Sequence, residues 1–162
     1  MRVISIDPGY ERMGVAVIEK VKAKKEELVF SECFKTSNKI PHNERLKLIG
    51  QEMERVIKMY KPEVLAIETL FFKNNQKTAM YVSEARGTIL YVCSVFGLKV
   101  REFSPMAIKI AVTGYGNSDK DQVVSMVQKL IEIKNRIKYD DEYDAIAAGL
   151  TYFASKMLVD VK

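Results

Sequence analysis

Short apolar runs alternate with polar turns in the first part of the chain. Runs over residues 2–7, about 13–19 and about 26–36 have the length and the β-branched content of strands. A short, lysine-rich polar segment joins the second run to the third. Because connections this short link antiparallel neighbours, the pattern predicts an antiparallel meander of three strands.

Helical and extended patterns then follow one another. Apolar residues recur at helical spacing from about residue 43 to 60, where Lys61-Pro62 ends the pattern. The next predicted elements are a strand over 63–68, a helix over about 75–96 with Gly97 at its end, and a strand over 98–103. That order requires parallel crossover connections.

The last third of the chain reads as helical. The pattern predicts a short helix to about residue 112, a helix from about 119 to 131 with Ser118 as its N-cap, and a final helix over about 141–158. We therefore expect residues 1–162 to form one α/β domain. Its mixed five-stranded sheet would have three antiparallel strands followed by two parallel ones, flanked by helices.

Composition narrows the class of partner. Lys and Arg total 26 against 21 Asp and Glu, which gives a net charge of +5 and a pI near 9.1. This balance favours a polyanionic partner such as nucleic acid. No apolar run approaches the roughly 20 residues that span a bilayer, so we expect a cytoplasmic protein.

The cysteines and the single histidine suggest no chemistry of their own. Cys33 and Cys93 lack CxxC spacing and are expected to be reduced, partly buried thiols. His42 lies in a polar stretch and is predicted to be a loop residue. One histidine excludes a histidine-rich metal site and argues against a Ser-His-Asp triad.

Four acidic residues stand where a carboxylate is costly. Asp7 and Glu68 each end an apolar run, so both are predicted at the carboxyl ends of buried strands. Asp141 and Asp144 share one face at the start of an apolar helix. Four converging carboxylates repel one another unless a cation holds them, and such oxygen ligands suit Mg²⁺ or Mn²⁺. The set predicts a metal-dependent site for phosphodiester cleavage.

Each acid also has an ordinary structural interpretation. Asp7 before Pro8-Gly9 could be a turn residue, and Glu68 could pair with a surface lysine. Asp141 and Asp144 could be first-turn acids that the helix dipole stabilises. Their combination favours a site, because the separate interpretations require several coincidences.

These residues resemble the RuvC family of Holliday junction resolvases. The resemblance rests on five motifs in chain order: Ile4-Ser5-Ile6-Asp7-Pro8-Gly9; Ala66-Ile67-Glu68 with Phe71, Asn75 and Thr78-Ala79; Glu84-Ala85-Arg86-Gly87; Lys109, Val112, Gly114, Gly116, Lys120, Gln122 and Val123; and Asp141 with Asp144-Ala145. Each motif is weak alone, but the ordered set extends over nearly the whole chain and is specific.

The resemblance implies an RNase H-like fold and an endonuclease that makes paired, symmetric nicks in four-way DNA junctions during recombination and repair. By it, Asp7, Glu68, Asp141 and Asp144 are catalytic ligands of Mg²⁺ or Mn²⁺, with two ions at the site. Lys109 and Lys120 would be catalytic and contact DNA at the cut. The implied DNA-binding residues also include Phe71, Phe72, Lys73, Asn75 and Arg86. The implied partners are junction DNA, a second copy of the chain, and a branch-migration complex of RuvA and RuvB.

Some positions depart from the family pattern, and other functions stay open. Met13 stands where many members have Thr, Tyr152 where His is expected, and Glu142-Tyr143 where a small pair is usual. Without the family pattern, Lys109 and Lys120 are ordinary solvated lysines. The alternatives are another RNase H-like nuclease of the YqgF type and a junction-binding module that does not cut. Retention of four acids argues against the module, because a pure binder gains affinity by losing negative charge near phosphates.

Overall fold

The structure, a computed structural model, describes residues 1–22, 24–70 and 76–159. Its elements in chain order are β1 (Arg2–Asp7), β2 (Arg12–Glu19), β3 (Glu27–Lys35), α1 (His42–Tyr60), β4 (Val64–Glu68), α2 (Gln76–Val95), β5 (Lys99–Phe103), α3 (Pro105–Thr113), α4 (Lys120–Leu130) and α5 (Asp140–Val159). Apart from shifts of one or two residues at their ends, these are the predicted elements.

The strands form one sheet in the order β3-β2-β1-β4-β5. Strands β1, β2 and β3 pair antiparallel, β4 is parallel to β1, and β5 is parallel to β4. The predicted mixed sheet is therefore confirmed. Strand β1 lies at its centre, so the carboxyl end of β1 has a neighbouring strand on each side.

Helices cover both faces of the sheet. Ile4 and Ile6 of β1 belong to the core beneath α1 and α2. Val3 belongs to the core formed with α3, α4 and α5. Burial on both faces explains why the central strands read as continuous apolar runs rather than as alternating patterns.

Two glycines allow α5 to lie directly on the sheet. A Cβ on Gly14 of β2 would stand 1.8 Å from the carbonyl oxygen of Asp141. A Cβ on Gly149 of α5 would stand 2.7 Å from Oγ of Ser5 in β1. Atoms cannot approach so closely, so these contacts require residues without a side chain. They fix the height and the direction of α5 above β1 and β2.

Two sequence predictions about local structure are wrong. Asp119, not Ser118, is the N-cap of α4: its side chain accepts a hydrogen bond from the backbone N of Gln122, whose side chain accepts one from the backbone N of Asp119. Ser118 is buried and bonds instead to Thr113 and Tyr115. His42 is the first residue of α1 and partly buried, because its ring packs against Tyr81 and its Nε2 lies 2.6 Å from Glu84.

The cysteine prediction holds for the described residues. Cys33 is partly buried, Cys93 is buried, and both are free thiols. Burial raises the pKa of Cys93 to about 12. Within the described ranges, no helix combines the length and the apolar character needed to cross a membrane.

Candidate active site

Asp7 and Glu68 meet at one edge of the sheet. Strands β1 and β4 are parallel neighbours, and Ile6 pairs with Ile67, so the two acids follow adjacent positions in the register. Each is the last residue of its strand and is partly buried. The crossover through α1 makes β1 and β4 parallel neighbours and brings the two carboxyl ends together, as the sequence predicts.

The start of α5 reaches the same edge. Asp7 pairs in register with Gly14 of β2, and Gly14 lies against the backbone of Asp141. Asp141 and Asp144 occupy the first turns of α5 and share one helical face. The missing side chain at position 14 thus places the C-terminal pair of acids beside the central strand.

The four acids interact electrostatically. Burial raises the pKa of Asp7 well above its ordinary value, and the charges of Asp144, Glu68 and Asp141 raise it further, in that order. Burial, and then the charge of Asp144, raise the pKa of Glu68 to about 7, against the lowering effect of Lys109 and Lys120. Burial also raises the pKa of Asp144. These carboxylates are therefore close enough to resist joint ionisation.

Lys109 and Lys120 lie on the rim of the acidic edge. Nζ of Lys120 is 3.3 Å from Oδ2 of Asp144 and also forms an ion pair with Asp140. A cleft of about 250 Å³ is lined by Glu68, Pro105, Ile108, Lys109, Lys120, Val123 and Asp144. Helices α3 and α4 each contribute one lysine to it, so two carboxylates and two cations face the same space.

Two charged residues near the acids were missed in the sequence. Asp140 pairs with Lys120, and that hydrogen bond lowers the pKa of Asp140. Nε of Arg12 lies 3.3 Å from Oδ2 of Asp141. Asp140 adjoins Asp141 and could have been included from its position alone. Arg12 could not, because its contact depends on how α5 lies across β2.

The predicted DNA-binding residues differ in what the structure says of them. Phe71, Phe72, Lys73 and Asn75 lie outside the described residues. In Arg86, Nε donates to the backbone carbonyl of Glu68 at 3.4 Å, and the guanidinium forms an ion pair with Glu102. Its guanidinium therefore supports the strand end that carries Glu68.

The departures Glu142 and Tyr143 each form a hydrogen bond with a neighbouring element. Glu142 accepts a 2.6 Å hydrogen bond from Oγ of Ser31 on β3. Oη of Tyr143 accepts one of 2.9 Å from Nε2 of Gln128 on α4. The extra carboxylate and the bulky ring are therefore held by neighbouring elements.

Met13 and Tyr152 are also explained by packing. Met13 is fully buried in the core beneath α1 and α2. Oη of Tyr152 lies 3.9 Å from Sδ of Met1, at the end of β1 opposite Asp7. Tyr152 therefore lies at the end of the sheet away from the acids.

The chemistry of the donor set fits a hard divalent cation. The acids that surround Asp7 supply only carboxylate oxygens, and their raised pKa values reflect burial and repulsion that a bound cation offsets. As the side chains stand in residues 1–22, 24–70 and 76–159, no three His, Cys, Asp or Glu groups form a ready metal-binding cluster. In this arrangement Nζ of Lys120 lies against Oδ2 of Asp144 and offsets part of the acidic charge.

A mixed sheet in this order, with carboxylates at the carboxyl ends of its two central strands and a helix supplying further acids, defines an RNase H-like fold. A model of the family described as crossover junction endodeoxyribonuclease RuvC matches residues 3–152. The chain belongs to the RuvC family.

Relatives and solved structures agree with this assignment. The chain is 42% identical to the crossover junction endodeoxyribonuclease RuvC of Thermosipho melanesiensis over 92% of this chain and 94% of the relative. It is 36% identical to that of Caldicellulosiruptor saccharolyticus over 98% and 96% of the two chains. The structure of Thermus thermophilus RuvC in complex with Holliday junction substrate superposes with a TM-score of 0.90 at 31% identity, covering 98% and 96%.

Proposed function

We propose that this chain is an endonuclease that resolves four-way DNA junctions by paired, symmetric nicks. The observation that carries the proposal is the convergence of Asp7, Glu68 and Asp144 with two lysines on one cleft edge. Carboxylates and cations in one cleft are what phosphodiester hydrolysis requires. The junction substrate of the Thermus thermophilus relative supports the choice of four-way DNA over linear DNA.

The proposed cofactor is Mg²⁺, two ions per site, with Mn²⁺ as a substitute. Asp7, Glu68, Asp141 and Asp144 would hold them, with Asp7 central because its pKa responds to all three of the other acids. When bound, such ions supply an activated water and stabilise the leaving oxygen. The protein's part is to hold four carboxylates at one edge at a cost in repulsion that the ions offset.

Lys109 and Lys120 would stabilise negative charge on the phosphate during attack. Both line the cleft, and Lys120 already binds two carboxylates. Cations fixed where charge develops in the transition state lower the barrier without needing to reorganise. Arg86 would act as a positioning residue for Glu68 through the Glu68 carbonyl, in addition to the DNA contact that the resemblance implies.

The DNA contacts of Phe71, Phe72, Lys73 and Asn75 remain a proposal from the resemblance. In the sequence, this segment follows Glu68 and precedes α2. By the resemblance, an aromatic ring of this segment would stack on bases that have left the duplex near the branch point. Partnership with RuvA and RuvB is proposed from the family alone.

A second copy of the chain would pair through the outer side of α2. Met80, Tyr91 and Val95 are 64%, 70% and 64% exposed on this helix, and a Cβ on Gly87 would meet nothing within 4 Å. An apolar stripe with a glycine near its middle lets two helices approach closely, and a two-fold dimer suits a nearly two-fold symmetric junction. Sedimentation velocity should give a dimer for the wild type and a monomer for Tyr91→Glu. A Tyr91→Glu dimer would exclude this face.

The deciding experiment is cleavage of a mobile synthetic four-way junction with Mg²⁺, with linear duplex as the control substrate. Symmetric nicks on the junction only, lost in Asp7→Asn, are expected. Binding without cutting by the wild type would make the chain a junction-binding module. Equal cutting of junction and duplex would favour a general RNase H-like nuclease.

A further inference from the structure

Three cations gather around one aromatic ring beside the acidic edge. Nζ of Lys35 lies 3.4 Å from the centroid of the Tyr139 ring, Nζ of Lys138 lies 5.5 Å away, and the guanidinium carbon of Arg12 lies 5.8 Å away. Tyr139 immediately precedes α5, whose first turns carry two of the catalytic candidates. The cluster comes from three parts of the chain, and folding alone brings it together.

The arrangement places like charges together. Arg12 and Lys35 are direct cross-strand partners in the register of β2 and β3. Like charges directly opposite each other on antiparallel strands destabilise the pair. Lys138 adds a third positive charge over the same ring. Contact with the face of an aromatic ring offsets only part of this repulsion.

Nearby carboxylates leave an excess of positive charge. Asp141 pairs with Arg12, whereas Asp140 pairs with Lys120, and Glu142 accepts from Ser31. In the part of the chain that the structure describes, neither Lys35 nor Lys138 forms an ion pair with a carboxylate. Both lysines are exposed. An anion from solution can therefore reach two cations that the fold holds close together.

The position relative to the acids points to the kind of anion. Lys120 contacts the first turns of α5 through Asp140 and Asp144, whereas Arg12 contacts them through Asp141. The acidic edge thus has cations on two sides, one group from α3 and α4 and the other from β2, β3 and the segment before α5. A nucleic-acid strand that crosses the acids would present a phosphate to each group in turn.

We propose that Arg12, Lys35 and Lys138 bind a backbone phosphate of the nucleic-acid strand being cut, on the side of the acids away from Lys120. This inference rests on the proposed function. The site would set the register of the strand over the acids, since phosphate contacts position a nucleic acid without reading its sequence. Tyr139 would hold the lysines in place through its ring.

The test is the salt dependence of junction affinity without divalent cations, so that no strand is cut. Fluorescence anisotropy with a labelled four-way junction, from about 50 mM to about 200 mM salt, gives the slope of log affinity against log salt. Lys35→Gln/Lys138→Gln should reduce that slope by about 2, roughly 1 for each lysine. This amounts to a roughly 16-fold smaller loss of affinity over that salt range.

Two matched variants test whether position and charge matter. Lys58 also lies over an aromatic ring, 5.6 Å from the centroid of Phe96, but on α1. Lys58→Gln should leave the slope at the wild-type value, and Lys35→Arg/Lys138→Arg should restore it. A slope in Lys35→Gln/Lys138→Gln equal to that of Lys58→Gln would overturn the phosphate site. Thermal melting should show that all three variants are folded.

The result separates the phosphate site from the proposed function. If the wild type binds the junction without cutting it in Mg²⁺, resolution fails but the slope comparison still decides the site. If the wild type prefers linear duplex, the slopes of log affinity against log salt are measured on duplex DNA, and their comparison decides the phosphate site. If the wild type binds neither DNA, both the function and the phosphate site are overturned.

Discussion

Glu32 on β3 and Glu68 at the end of β4 share an unusual property but differ in their surroundings. The pKa of each is raised to about 7. For Glu32 the causes are burial, a hydrogen bond with Glu52 and the charge of Glu52, against the lowering effect of Arg55. For Glu68 they are burial and the charge of Asp144, against Lys109 and Lys120.

The positions of the opposing cations separate the two sites. Nη2 of Arg55 lies 3.3 Å from Oε1 of Glu32 and 2.6 Å from Oε1 of Glu52, so this pair of acids has a cation bound directly to it. Among the described residues, Glu68 has no ion pair, and its lysines act from across the cleft. A raised pKa alone therefore shows only that a carboxyl is buried near another acid. Glu68 differs from Glu32 because it faces an open cleft without a cation bound directly to its own carboxylate, which is where the proposed metal ions would act.

The largest expected effect comes from Asp7→Asn. Removing the carboxylate that interacts with all three other acids should lower junction cleavage by at least about 10³-fold, because the ion ligands no longer form a complete set. Single-turnover cleavage of the synthetic junction in Mg²⁺ measures this.

Glu32→Gln is the matched control for Asp7→Asn, since it removes a carboxylate with a raised pKa outside the acidic edge. Its cleavage rate should equal that of the wild type. Loss of cleavage in both variants would mean that a general structural defect, not a missing ligand, explains the Asp7→Asn result.

A smaller loss is expected from Lys120→Gln. This change removes a cation that contacts Asp144 and Asp140 at the cleft, and cleavage should fall by about 10²-fold. The rate of a single turnover at saturating enzyme isolates this effect from weaker DNA binding.

Lys58→Gln, which removes an exposed lysine from α1, should retain the wild-type rate. Equal cleavage rates for Lys120→Gln and Lys58→Gln would mean that Lys120 is an ordinary solvated lysine without a catalytic role.

Metal binding should appear in stability without any DNA. At Mg²⁺ concentrations about 100 times the dissociation constant, the folded wild type gains about 2.7 kcal/mol, which raises its Tm by roughly 5–10 °C. The rise should disappear in Asp7→Asn, and in EDTA that variant should melt above the wild type, because one of the repelling charges is gone. Differential scanning calorimetry with and without Mg²⁺ measures both shifts. An equal Mg²⁺ response in wild type and Asp7→Asn would place the ion elsewhere.

The smallest effect is expected at Glu32 and Glu52, the pair of acids for which no metal site is proposed. A carboxyl whose pKa rises from 4.5 to about 7 on folding contributes stability at low pH and loses it as pH rises through that window. Glu32→Gln removes this loss, so its Tm should exceed that of the wild type by roughly 1–3 °C at pH 8. The difference should shrink towards pH 5. Thermal melts across that pH range measure it.

Glu54→Gln serves as the control for that pH series, because Glu54 lies on α1, the helix that carries Glu52, in an exposed ion pair with Lys58. Its small effect on Tm should not rise between pH 5 and pH 8. A pH-independent gain in Glu32→Gln would mean that ionisation of the buried Glu32 carboxyl beside Glu52 is not its cause.

The helices, the strands and the four acids could be predicted from the sequence because each depends on a pattern of a few neighbouring residues. Apolar runs ending in Asp7 and Glu68 indicate buried strand ends, and adjacency of β1 and β4 follows from one crossover. Contacts that depend on how distant elements pack could not be predicted. Arg12 reaches Asp141 only because α5 crosses β2, and His42 joins α1 because Tyr81 and Glu84 of α2 lie beside it.

Gly14 has a consequence for when the enzyme becomes active during synthesis. Asp7 and Glu68 are synthesised before Asp141 and Asp144, which belong to α5. This helix follows every other described element in the chain. The two pairs come together only when α5 settles onto the bare backbone at Gly14. A nascent chain that has not yet completed α5 carries only two of these four acids. On the proposed function, cutting activity waits until α5 has docked.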